Sequence, residues 1–324
     1  MQAPAPLPTL AQWLAIQTWE DTDEKKGANA SQKTHSQKEE HSYQFFDRVE
    51  RTPNLPFMTD HQGWVDNLLA RTDTVPLVAS GWNGFRAKKL RYRLESELEG
   101  VIGKMWDALN AGIPVDVDSE YPQEIANAPW KERAVLSGWG GDLRGIKFDV
   151  AAIFQTTLDP EEDPDDTVYL LVEVKTESTM RAEAHIEQSV MPHTDLNNLT
   201  PADKMLVQLI IDAARRAQAF TQARLAHCEV VVLMAHNTVD VCQAIRSELF
   251  IHGPLYRNPE PGQLAFTPLY AMRVLASAFY HRAWLMRTRG QRAPTIAPTP
   301  TERWLAPPAF LTRLKRALSG VWDT

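Results

Sequence analysis

Cysteine is scarce in this chain: Cys228 and Cys242 are the only two in 324 residues. Two thiols build neither a disulfide framework nor a four-thiolate metal centre, so a reducing, cytoplasmic setting is expected. Long apolar runs are missing as well. With no continuous apolar stretch of about 18 residues, the sequence predicts no transmembrane helix and no membrane partner. Met1–Leu10 is proline-rich and has no basic residue ahead of an apolar run, so it does not read as a secretory leader. A basic excess is also lacking, the formal net charge being −7. That argues against a histone-like or tail-like nucleic-acid binder. It does not exclude an enzyme that works on nucleic acid, because a metal site needs local carboxylates and the bound cation reverses the local charge. The histidines, His185, His193, His227 and His236 among them, show no tight metal-ligand spacing and are read as structural or solvent-facing.

What is present is an ordinary globular composition, 44% hydrophobic and 23% charged. A flexible or solvated segment is expected over 20–42, where the only apolar residues are two alanines. Short apolar patches beside it, 10–19 and 64–69, are candidate helices. Further on, Leu94, Leu98, Val101, Ile102, Met105, Trp106 and Leu109 recur at helical spacing. A short strand is predicted over 113–117, then a polar connection bearing tryptophan and glycine up to 145. Strands follow over 146–154 and 168–176, joined by an acidic turn over 159–166, and together they read as a hairpin. A helix is expected over 202–226, with Met205, Leu209, Ala213, Ala217 and Phe220 on one stripe. The β-branched run 229–235 reads as a buried strand. A helix candidate over 270–287, a proline-rich link over 292–300 and a basic amphipathic end over 309–321 complete the chain. The expected division is a partly flexible extension over 1–80, a core over 81–245 and a helical extension over 246–324.

The chemistry sits on the hairpin. Side chains at i and i+2 of a strand share a face. Glu173 and Lys175 therefore point one way, with Tyr169 and Leu171, while Val168, Leu170, Val172 and Val174 pack behind. Asp149 lies on the preceding strand, and adjacent strands run roughly 4.8 Å apart. Charges inside such apolar strands are costly unless paired or metal-bound. Two carboxylates and a main-chain carbonyl make a hard oxygen site suited to magnesium or manganese. Such an ion activates water and offsets charge on a phosphodiester, while a nearby lysine orients the water or stabilises the phosphate.

Asp149, followed after a hairpin loop by Glu173, Val174 and Lys175, resembles the PD-(D/E)xK nuclease superfamily, a restriction-endonuclease-like group. Gly145 ahead of Asp149 and the order helix, three strands, helix, strand over about 88–237 fit the same resemblance, which covers roughly 150 residues. It implies an α/β fold with a mixed four-stranded sheet flanked by helices, extended at both ends by mainly helical or irregular additions. It further implies magnesium-dependent hydrolysis of DNA, with RNA as the less favoured substrate and manganese as a substitute ion. Asp149, Glu173 and the carbonyl of Val174 would hold the metal, and Lys175 would serve the water. A glutamate from the first core helix often joins such sites, and here Glu99 or Glu95 would be that residue. Phe148 stands where the name-giving proline would be. Gln208 and Gln218 lack the tyrosine four residues on that marks one subgroup, and the cysteines of iron–sulfur members are missing.

Each of these residues has a plainer reading. Asp149, Glu173 and Lys175 could form a surface cross-strand ion pair. Glu95 and Glu99 could be a solvated helix flank. Lys147 and Glu177 border the site and could only solvate the strand ends, or Glu177 could be a peripheral acid. Arg215, Arg216 and Arg224, and the tail residues Arg313, Lys315 and Arg316, could contact phosphate or only solvent. Trp139 could stack on a base or fill a core. Two functions are thus expected: an active nuclease of restriction, phage defence or DNA processing, or an inactive nuclease-fold subunit that binds nucleic acid or assembles with others. The flanking segments would serve a protein partner or a homo-oligomer.

Overall fold

The computed structural model describes residues 9–19, 22–29, 48–70, 90–113, 132–137, 149–155, 168–175, 177–180, 223, 226–246 and 248–288. The strands and helices over these residues are α1 (Leu10–Ala15), β1 (Thr22–Asn29), β2 (Arg48–Arg51), α2 (Pro56–Thr59), α3 (Gln62–Ala70), β3 (Leu90–Leu94), α4 (Glu95–Ala111), β4 (Glu132–Ser137), β5 (Val150–Gln155), β6 (Val168–Val174), α5 (Glu177–Met180), β7 (Val230–Met234), β8 (Thr238–Ile245), β9 (Glu248–Tyr256) and α6 (Pro268–Thr288).

Seven strands form one mixed sheet in the order β2-β9-β8-β7-β6-β5-β4. Neighbours are antiparallel except β6–β7 and β2–β9, which run parallel. The fold is α/β as expected, but the sheet is wider than the four strands predicted. The stretch expected to form the core, 81–245, contributes β4 to β7 and β8. Beyond β7, strands β8 and β9 continue the sheet as a meander, and β2 comes from the far N-terminal side. The missed strands have a physical explanation. Strand β8 carries Asp240 and Gln243 among its apolar residues, and β9 contains Gly253 and Pro254, residues that argue against a strand.

Two further differences concern boundaries. Strand β4, Glu132–Ser137, lies inside the stretch read as a connection, while Ile113 ends the helix region in a bend. The stretch read as a solvated loop contains β1, which pairs in parallel with β3 as a separate two-stranded sheet. The other readings over 114–117, 139, 147, 159–166, 202–222 and 289–324 lie outside the described residues.

Helix α4 forms where the spacing predicts it, burying Leu98, Ile102, Met105, Trp106 and Leu109. Its apolar stripe, with α6 and residues of α1, α2 and α3, covers one face of the sheet, where Val150, Val172, Val174, Val232 and Val241 point. The opposite face carries Ala151, Val168, Leu171, Val231 and Leu233, and packs on Ala223, Ala226 and Met180. The core expected over 81–245 thus shares its sheet and its apolar interior with residues on both sides of it. Burial of each large side chain on these faces stabilises the fold by roughly 1.5–3 kcal/mol.

A β-bulge corrects one detail of β6. The pairing Ala152↔Leu170 is followed by Ile153↔Val168, so Tyr169 is the extra residue. It turns away from Leu171 and joins the α4 face. There its hydroxyl donates to Asn110 Oδ1 at 2.5 Å, and its ring meets Phe279 edge-on. Tyr169 therefore does not share a face with Glu173.

Candidate functional site

The parallel pair β6–β7 ends in one place, and Asp149, Glu173, Val174 and Lys175 lie there. The antiparallel register sets Val150 opposite Val172, so one step outward sets Asp149 opposite Glu173. Asp149 sits in the bend that leads into β5. Its Oδ2 accepts the main-chain N–H of Val174 at 2.6 Å. That bond fastens the carboxylate to the middle residue of Glu173-Val174-Lys175. The N–H of Lys175 points the other way and donates to the Met234 carbonyl of β7 at 2.9 Å. Because main-chain polar groups alternate sides along a strand, the carbonyl of Val174 faces the β5 side, as its N–H does.

Glu173 is 3% exposed. Strand alternation sets it on the face opposite Val172 and Val174, the face away from α4. The Lys175 ammonium forms an ion pair with Glu173 Oε1, which supplies a countercharge for the buried carboxylate. Two carboxylates and a carbonyl at one sheet edge are hard oxygen donors, and their chemistry fits a small divalent cation. Among the described residues no group of three or more histidine, cysteine, aspartate or glutamate side chains is placed to hold a metal ion.

Two contacts orient α4. Asn110 lies at Tyr169, near the start of β6. Met105, five residues earlier, accepts from Arg257 at 3.9 Å, and Arg257 in turn donates to the carbonyl of His236, just past the end of β7. The N-terminal half of α4 therefore lies toward the edge that holds Asp149 and Glu173. Glu99 is half-buried there and Glu97 is exposed, while the side chain of Glu95 lies outside the described residues. The structure thus brings together Asp149, Glu173, Val174 and Lys175, and leaves Glu99 on the helix of the other face.

Three residues at this edge were not assigned a site role from sequence. Glu177 is 6% exposed and occupied. Its Oε2 accepts the N–H groups of Asn237 and Thr238 at 3.2 Å each, and its Oε1 accepts from Thr238 Oγ1. Rather than a peripheral acid, Glu177 is the anchor of the β7–β8 turn. Its signal was the run Glu173, Lys175, Glu177, charges at every second position across a strand end. His236, read as structural or solvent-facing, sits in that turn with Nδ1 3.3 Å from Glu177 Oε2. Arg257 carried no signal, since it falls after a strand that sequence patterning did not reveal. Asp240 is a second buried acid on the Glu173 face: Leu233 pairs with Glu173 on one side and with Asp240 on the other.

Both cysteines are buried and outside any disulfide, and burial pushes the Cys228 thiol up to about 12. Such a thiol is no nucleophile near neutral pH. No helix among the described residues is long and apolar enough to cross a membrane. No family model, curated protein or solved structure matches this chain.

Proposed function

We propose that this chain is a metal-dependent nuclease that hydrolyses phosphodiester bonds of DNA, with Asp149, Glu173 and the carbonyl of Val174 as the metal donors. The observation that carries this reading is the bond from the Val174 N–H to Asp149 Oδ2. It ties Asp149 to the strand that carries Glu173, 25 residues further along the chain, and so supports the reading of the two as one site. Magnesium or manganese bound there would supply Lewis-acid activation of water and of the scissile phosphate.

The chain's own residues have definable tasks. Asp149 is held in place by a main-chain donor, so its second oxygen keeps a fixed direction. Glu173 is drawn out of water, which strengthens its attraction for any cation at the edge. Lys175 is two residues on and partly exposed, and its ammonium can hold the attacking water or the phosphate oxygens. Glu99 would reach this edge only from the α4 side.

The test is incubation of the protein with plasmid, single-stranded DNA and RNA, with magnesium or manganese and then with EDTA. Metal-dependent cleavage is expected, lost in Lys175→Ala and Asp149→Ala. Cleavage that survives both substitutions would refute the assigned site, and no cleavage on any substrate would refute the reading and favour an inactive nuclease-fold subunit.

A further inference from the structure

A two-residue hairpin tip is ordinarily a solvated, yielding part of a sheet. The tip between β7 and β8 is built differently. The Ala235 N–H donates to the Thr238 carbonyl at 2.8 Å and closes the turn around His236 and Asn237. Glu177 takes the N–H groups of Asn237 and Thr238 and the Thr238 hydroxyl from one side. From the other side Arg257 donates its guanidinium to the His236 carbonyl and its main-chain N–H to the Asn237 carbonyl, both at 2.8 Å. Asn258 N–H donates to Asn237 Oδ1 at 2.8 Å. The clamping side chains are themselves buried, Glu177 at 6% and Arg257 at 5% exposure, and the Arg257 guanidinium lies 5.4 Å from the Trp19 ring centroid.

Burying a carboxylate and a guanidinium to hold the three half-buried residues His236, Asn237 and Thr238 is expensive, and a plain connection does not need it. What the clamp holds steady is the His236 imidazole, a fifth exposed, with Nδ1 beside Glu177. It stands two residues past Met234, whose carbonyl takes the Lys175 N–H, so the imidazole and the lysine sit on neighbouring strand ends. An imidazole held at the strand end next to that of Lys175 can make a hydrogen bond to a phosphate oxygen.

We infer that His236 contacts the DNA strand next to Lys175, and that Glu177 and Arg257 are positioning residues for it; this rests on the nuclease reading above. The experiment uses the full chain and a short fluorescein-labelled DNA, duplex and single-stranded, with calcium so that binding is read apart from turnover. The same variants are then assayed for KM and kcat with magnesium. His236→Ala is expected to raise Kd and KM about tenfold or more, the loss of one hydrogen bond to a charged group, with kcat little changed. His236→Gln keeps a donor and should recover part of the loss, and Glu177→Gln should copy His236→Ala while also lowering Tm. If His236→Ala does not fold, His236→Phe keeps the ring and removes both nitrogens. A chain that cleaves DNA while the His236 variants keep wild-type Kd and KM overturns this inference alone. A wild-type chain that neither binds nor cleaves DNA overturns both readings.

Discussion

The ion pair between Lys175 and Glu173 can be used to ask whether a cation belongs at this edge. Glu173 is 3% exposed and Lys175 18%, so Lys175→Ala strands a carboxylate away from water. Breaking a buried pair from one side costs about 3–5 kcal/mol, and the partial exposure of Lys175 puts the expected loss near the lower end. At about 2–4 °C per kcal/mol, a 3 kcal/mol loss lowers Tm by about 6–12 °C. Removing both charges, as Glu173→Gln with Lys175→Met, should restore stability to within about 1 kcal/mol of wild type, because neither charge is then left alone. A divalent cation should take over the countercharge in Lys175→Ala. At a concentration about 100-fold above its Kd it would return about 2.7 kcal/mol. That recovery should vanish when Asp149→Ala is added. Thermal unfolding of the four proteins, with manganese and with EDTA, is the assay. A Lys175→Ala protein that melts within about 1 °C of wild type refutes the burial argument. Equal manganese shifts with and without Asp149 refute the shared site.

Gly253→Ala should be strongly destabilising, by about 2–3 kcal/mol: a Cβ there would lie 2.1 Å from Asp240 Oδ1 and 3.1 Å from its Cα, so turning the carboxylate away gives only partial relief. Chemical denaturation of Gly253→Ala, alone and with Asp240→Ala, checks this, the double variant recovering only part of the loss; an unchanged midpoint for the single variant would contradict it. His61 is held down to about 4, first by burial and then by His281, with Asp60 opposing. The unfolded chain therefore takes up a proton below about pH 6.5 that the folded chain refuses until about pH 4, and stability falls as pH drops through that window. His252 is also lowered by burial and adds in the same direction. Tm measured across this range should fall less steeply for His61→Gln than for wild type, and identical slopes would show that His61 is not the titrating group.

What could be read from the sequence tracks how local the controlling interactions are. Helix α4 was legible because its buried residues repeat at helical spacing. Strands β6 and β7 were legible because nearly every residue in them is apolar, as a strand buried on both faces must be. Asp149, Glu173 and Lys175 stood out as charges at the ends of such strands. The bulge at Tyr169 was not legible, since it depends on register with β5. Nor were β8 and β9, whose pattern is broken by residues that tertiary contacts accommodate: Asp240 lies against Gly253, and Gln243 accepts the Phe57 N–H at 2.9 Å. Glu177 and Arg257 gained their roles only when distant segments met at one turn.

The edge strand β2 carries a consequence for how the chain is made. Strands β4 to β9 lie side by side in the order of synthesis, but β2 pairs with β9, Arg48 opposite Glu248. Ribosomes add about 5–20 residues per second, so an interval of 200 residues (248 − 48) separates partners by roughly ten to forty seconds. During that time Leu10, Leu14 and Phe57 also wait for α6, the helix they are buried with. The hairpin with Asp149 and Glu173 is completed well before the first-made segments find their place. The N-terminal residues are thus translated first and docked last, and for that interval they depend on whatever in the cell keeps apolar chain from sticking.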